Sequence, residues 1–367
     1  MFLLREACER DEEAILGLAE HLNTLNLPPE RAFIRGLLQR SMTSFAGAPD
    51  FDPRRQFLFV LEDPEGAVVG TSMVHAQHGT LDEPHVFFRV IKEERYASIP
   101  TGDGLGHRDV HMVHTMLHLG HTYNGPSELG GLVLHPGLRR HPGRLGRLLS
   151  LGRLVFVASA RSWFRDRMLA ELLPPLYEGP EGKTRSPLWD ALGSRFTGLS
   201  YDQADRLSMR NKDFIWRLFP SLPVHASLLP EGVISIIGQV GPSSAGAERL
   251  LRSVGFEYAG RVDPFDGGPH YEAATEQITI VRDSRTCRPI AGEPDTDAPP
   301  CIVAIASHDA PHFRAVWTRA RMAEAAQPGV YPELVVPPEA LARLGALSGA
   351  GQATLGTGCR LLAAPRH

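Results

Sequence analysis

The chain has 367 residues, 43% of them hydrophobic and 22% charged, with a formal net charge of -4 and a sequence pI of about 6.5. This is ordinary globular composition, long enough for two or three cores, and it excludes a fibrous or disordered chain and the basic footprint of a nucleic-acid or anionic-membrane binder. Lysine occurs only at Lys92, Lys183 and Lys212, so arginine supplies nearly all the positive charge, which favours forked contacts to phosphate or carboxylate.

"FLLREACERDEEAILGLAEHL", from Phe2, reads as a short strand and then a helix started by Asp11, with Ala14, Ile15, Leu18, Ala19 and Leu22 on one face. "QFLFVLEDPEGAVVGTSMV" is a hairpin turning at Asp63 to Gly66, and "HVFFRVI" extends its sheet. "SELGGLVLHP", from Ser127, alternates like a strand, and its paired glycines suit a bulge or the close approach of a ligand. After it, Arg139, Arg140, Gly143 and Gly146 precede a long helix through Leu148, Leu149, Leu151 and Val155. Free N–H groups and the positive dipole end at such a helix start suit an anion such as pyrophosphate, although an ordinary strand-turn-helix has the same look. The element order is mixed α/β rather than doubly wound. "TCRPIAGEPDTDAPP" (286–300), rich in proline and charge, reads as a linker to a small β-rich unit over 301–367.

Cys8, Cys287, Cys301 and Cys359 lie far apart without a CxxC pair, so neither a zinc ribbon nor a disulfide framework is expected, and a reducing cytoplasm fits. No run has the length of a membrane span, and the acidic N-terminus does not read as a signal peptide.

The sequence strand, bulge, RxxGxxG turn, long helix resembles the GCN5-related N-acetyltransferase fold, which binds the pyrophosphate of coenzyme A at that turn and runs the pantetheine beside the bulged strand. "AERLLRSVGFEY" also resembles a helix of that family, with Leu251 where a general-acid tyrosine often stands. The segments starting at Ser186 and Ser244 are similar to each other, each reading as a short helix closed by a glycine (Gly193, Gly255) and then a β-type run, with Trp189 matching Leu251. That suggests a duplicated half: an acyltransferase-like domain over 1–200 and a second, partial unit over 201–285.

Longer blocks, "GPSELGGLVLHP", "LAELLPPL", "SPLWDALGSRFTGLSYDQAD", "IGQVGP" and "VDPFDGGPH", resemble the arginine N-succinyltransferase family. The resemblance implies succinyl-CoA and L-arginine as substrates, CoA and N2-succinylarginine as products, and a succinyl-CoA contact at Leu132. It also places the family's proton donor, a histidine, at Gly241, where this chain has none. Three alternatives stay open: catalysis with another group, a non-catalytic partner subunit in a homo- or hetero-oligomer, and the same chemistry on a different amine.

An α-ammonium must lose its proton before attacking a thioester. His225 is the first candidate replacement, by type and by closeness in sequence, against a plain surface histidine. Glu128 is a candidate base acting through water, against a structural carboxylate. Asp263 and Asp266, with Glu272, are candidates for the guanidinium, against turn-forming aspartates. The run His107, His111, His114, His118 and His121 would form a metal-binding stripe on a helix. On a strand His114 and His118 part from His111 and His121, and no metal is expected.

Overall fold

The computed structural model describes residues 1–20, 27–102, 104–178, 184–208, 212–322, 331–347, 352 and 360–365. Leu22, Lys183 and Cys359 lie outside them. The chain begins with strand β1 (Leu3–Glu6), helices α1 (Glu12–Glu20) and α2 (Arg31–Phe45), and strands β2 (Gln56–Glu62) and β3 (Val68–His75). A long hairpin of β4 (His85–Pro100) and β5 (His107–Thr122) leads to β6 (Ser127–Leu134), helix α3 (Leu145–Ser159) and β7 (Arg167–Glu171). A small ribbon, β8 (Tyr177–Glu178) with β9 (Thr184–Arg185), precedes a π turn at Trp189–Gly193 and helices α4 (Ser194–Thr197), α5 (Tyr201–Ser208) and α6 (Asp213–Leu218). Then come β10 (Val224–His225), α7 (Glu231–Ile234), α8 (Ala245–Ser253), β11 (Glu257–Val262), β12 (Pro269–Ala274) and α9 (Thr279–Asp283). The chain closes with β13 (Arg285–Ala291), β14 (Pro300–Ala306), β15 (Phe313–Arg319), β16 (Arg321–Met322), β17 (Glu333–Val336), α10 (Pro338–Leu344) and β18 (Arg360–Pro365).

Sixteen of these strands join one mixed sheet, in the order β10-β5-β4-β11-β12-β7-β6-β3-β2-β1-β15-β14-β18-β13-β17-β16. The run "QFLFVLE" is apolar on both faces because both faces are covered. Phe57, Phe59 and Leu61 pack with Leu149, Phe156 and other residues of α3, whereas Leu58 and Val60 pack with Ile15, Ile34 and Leu37 of α1 and α2. The same alternation splits β1: Leu4 joins the α3 core, and Leu3 joins a C-terminal core with Val303, Val316 and Leu341.

The expected units 201–285 and 301–367 do not stand apart from the first. β11 and β12 lie between β4 and β7, and β15 pairs with β1. The first part of the expected linker, 286–291, belongs to strand β13, because Cys287 and Pro289 alternate inward while Arg285 and Arg288 are exposed. The two similar segments also diverge. The second is helix α8, closed at Gly255 (φ 104°), then strand β11; the first is closed at Gly198 (φ 70°) and enters another helix. Ser200 caps that helix, accepting from Gln203 N–H while Gln203 accepts from Ser200 N–H. The histidine run is a strand: β5 pairs residue for residue with β4, which puts His114 and His118 on one face and His107, His111 and His121 on the other.

Candidate active site

β6 carries one more residue than β3 between the pairs Thr71↔Val133 and Met73↔Gly130, so Gly131 and Leu132 bulge out of the ladder. Gly131 has φ 55°, and a Cβ there would lie 2.7 Å from Met73 Cγ and Sδ, so the bulge favours glycine. Arg153 of α3 pins the bulge, donating from Nη1 to the carbonyls of Met73 (2.9 Å) and Gly130 (2.8 Å) and from Nε to Ser150 O (3.0 Å). Thr71 Oγ1 donates to Gly131 O at 3.0 Å. Burial pushes the Arg153 guanidinium down to about 9. Arg153→Met should leave those carbonyls unmatched and cost about 2–3 kcal/mol, measurable by chemical denaturation; unchanged stability would mean the bulge holds without it.

β6 and β7 run parallel and pair only at Ser127↔Met168 and Glu128↔Leu169. Beyond that point they part, and a cleft of about 2110 Å³ opens beside the bulge. At one end it meets the N-terminus of α3. Arg139, Gly146 and Leu132 line it, and Arg144 and Arg147 add positive charge; Arg140 and Gly143 are not among the lining residues. Arg144 is the N-cap in the left-handed conformation (φ 50°), which turns the chain sharply into the first helical turn and its unspent N–H groups.

The other end is built of buried ionisable groups. His78 Nδ1 lies 2.5 Å from Glu128 Oε2. Burial would raise the Glu128 carboxyl, but the charge and hydrogen bond of His78 hold it at about 2. Burial opposes the charging of His78, and Glu128 outweighs it, raising the imidazole. Glu171 Oε1 lies 3.3 Å from Nε2 of both His85 and His270. Despite burial, those rings and Lys212 keep the Glu171 carboxyl well below its usual range. Burial pushes His85 far down and His270 to about 4, so both rings are neutral near pH 7. Lys212 Nζ stands 4.0 Å from Asp263 Oδ2, and burial lifts Asp263 to about 6 against the pull of that ammonium.

The fold brings Glu128, Leu132, Arg139, Gly146, Asp263 and Asp266 to one cleft. Both aspartates also serve their turn: Asp263 Oδ1 accepts from Phe265 N–H at 2.7 Å, and Asp266 Oδ1 from Gly268 N–H at 2.7 Å. Glu272 is buried and paired with Arg167 (2.9 Å) and Arg261, so it is occupied structurally. His225 is not brought to the cleft. It is exposed on β10, paired beside Met116 at the sheet's edge, with its ring 6.0 Å from that of His114. Gly241 donates its N–H to Leu173 O at 2.8 Å, and Leu251 and Trp189 are core residues. His75, His78, His85, Glu171, Lys212 and His270 were not candidates in the sequence, although Glu171 and His270 fall within the blocks "LAELLPPL" and "VDPFDGGPH", since they sit on separate strands and loops that only the sheet order unites.

A bulged strand beside a splayed parallel pair, opening on a basic helix N-terminus, fits an acyltransferase of mixed α/β fold that takes a coenzyme A thioester. The arginine N-succinyltransferase beta subunit family matches residues 2–280. The arginine N-succinyltransferase subunit beta of Pseudomonas aeruginosa is 33% identical over 307 residues, covering 82% of this chain and 85% of that protein. The arginine N-succinyltransferase of Yersinia pestis is 31% identical over 366 residues, covering 95% of this chain and 96% of that protein. The solved structure of arginine/ornithine succinyltransferase subunit AI from Pseudomonas aeruginosa superposes with a TM-score of 0.73 at 28% identity, covering 100% of this chain and 98% of that one. The chain belongs to the arginine N-succinyltransferase family, and it is a transferase.

Proposed function

We propose that the chain transfers the succinyl group of succinyl-CoA to the α-nitrogen of L-arginine, releasing CoA and N2-succinyl-L-arginine, in cytoplasmic arginine catabolism. The observation that supports this reading is the lining of one cleft: arginines around the α3 N-terminus and, at the floor, the carboxylates of Glu128, Glu171 and Asp263 beside His78 and Lys212. Phosphates of the thioester suit the first, and a substrate with both an ammonium and a guanidinium suits the second. Leu132 would border the path of the acyl arm between them, and backbone N–H groups at the bulge would serve the oxyanion. Glu128, ionised over the whole working range, is too weak a base to strip the ammonium directly; it holds that cation at the floor while the proton leaves through water. Asp263 takes part in holding the guanidinium.

This reading has a pH signature. A carboxylate pairs with a guanidinium only when ionised, and the Asp263 carboxyl titrates at about 6. The KM for arginine should therefore rise as the pH falls through about 6, and Asp263→Asn should flatten that limb; a limb unchanged in the variant would remove Asp263 from the site.

Gly241 supports a second reading, a non-catalytic partner subunit, and the long β4–β5 arm, with Tyr96, Leu105 and Met112 exposed, supports assembly into an oligomer under either. The test gives the purified chain, alone, succinyl-CoA and L-arginine and follows thiol release, with acetyl-CoA and ornithine as controls. Arginine-dependent release is expected. Binding of CoA without release would favour the partner reading or a different amine.

A further inference from the structure

We propose that His78, His85 and Glu171 bind a divalent transition-metal ion of the zinc class at the floor of the cleft. One ligand atom from each of the three lies within 4.8 Å of the other two. His78 is arranged as metal-bound histidines are: its Nδ1 meets a carboxylate, Glu128, at 2.5 Å, and its Nε2 is left buried with no partner. His85, only 1% exposed, has no hydrogen-bond partner at either ring nitrogen, and Glu171 Oε1 has none either.

The 3.3 Å between Glu171 Oε1 and His85 Nε2 is longer than a well-formed charge-assisted hydrogen bond. It does match the edge of a tetrahedron with zinc–ligand bonds of about 2.1 Å, which is roughly 3.4 Å. His270, fully buried and also without a hydrogen-bond partner at either ring nitrogen, places a further nitrogen 3.3 Å from the same oxygen. Buried polar atoms are ordinarily satisfied, and here a set of them converges. A cation in their midst would satisfy the acceptors together. Two imidazoles and one carboxylate favour zinc, cobalt or iron over magnesium or calcium, which prefer all-oxygen sites. His78 and Glu171 line the cleft, which provides an entry path and leaves a coordination position facing it.

The competing binder is the histidine-bearing strand β5, much of it exposed. The experiment uses the full chain without a histidine tag, stripped with chelator and titrated with Co²⁺, reading the visible absorption of the bound ion and then its displacement by Zn²⁺. One equivalent, bound with the spectrum of a low-coordinate site, is expected. His85→Gln and Glu171→Gln should each weaken binding by about a hundredfold or more, while His114→Gln should leave it unchanged. Near-UV circular dichroism identifies a variant that has not folded, and the near-isosteric Glu171→Gln remains decisive if His85→Gln fails. No stoichiometric binding by the parent chain, equal binding by a folded Glu171→Gln, or loss only in His114→Gln would overturn the site. The readout is independent of turnover, so it stands apart from the acyl-transfer reading.

Discussion

Leu132→Arg is expected to weaken binding of the coenzyme A thioester by about a hundredfold or more, equivalent to roughly 2.7 kcal/mol, with little change in melting temperature. Leu132 belongs to the bulge and is 36% exposed, so its side chain supports the cleft rather than the core. An arginine there would fill the path between the α3 N-terminus and the carboxylate floor. The measurement is calorimetric titration with CoA and with succinyl-CoA beside a thermal melt. Retained affinity in a folded variant would move the acyl arm away from the bulge.

Gly241→His is expected to destabilise the chain by about 1–3 kcal/mol without raising kcat. The family resemblance puts a histidine at this position, so the substitution looks like a repair. The backbone says otherwise: a Cβ on Gly241 would lie 2.4 Å from Pro174 O and 2.7 Å from Pro174 C. The N–H bond from Gly241 to Leu173 O holds the two segments together at that point. A histidine can enter only if residues 173–174 move, and they follow directly on β7 and Glu171. A rise in kcat of about tenfold with an intact melt would show that this backbone yields and that the native chain lacks only its proton donor.

What the sequence disclosed was local. "ELGG" announced the bulge because two glycines in an alternating strand have few other uses, and Gly131 indeed takes a positive φ. "DPEG" announced its hairpin because Asp63 Oδ1 accepts from the N–H groups of Glu65 and Ala67 while Gly66 turns with φ 92°. The spacing of the β5 histidines fits a helix as well as a strand, and burial alternates around Met116–Leu119 as a strand requires. His225 stands away from the cleft for the complementary reason. Nearness to Gly241 along the chain says nothing about position across a wide sheet, and β10 pairs at its far edge. The floor of the cleft was hidden for the same reason. β11 and β12 insert between β4 and β7, carrying His270 toward His85 and Glu171, and no spacing along the chain encodes that insertion.

The pairing of β1 with both β2 and β15 has a consequence for biogenesis. Leu3–Glu6 leaves the ribosome before either of its partner strands, and its β2 edge is covered once residues 56–62 emerge. Its other edge waits for Phe313–Arg319, about 300 residues later, a delay on the order of fifteen to sixty seconds at ~5–20 residues per second. Throughout that interval the nascent protein presents an unpaired strand edge carrying Leu3 and Leu4, the kind of edge that recruits foreign strands. A product terminated ahead of β15 would keep that edge for good, so shortened forms of this protein should depend on chaperones or aggregate even though the cleft residues from Gln77 to Asp266 are all present.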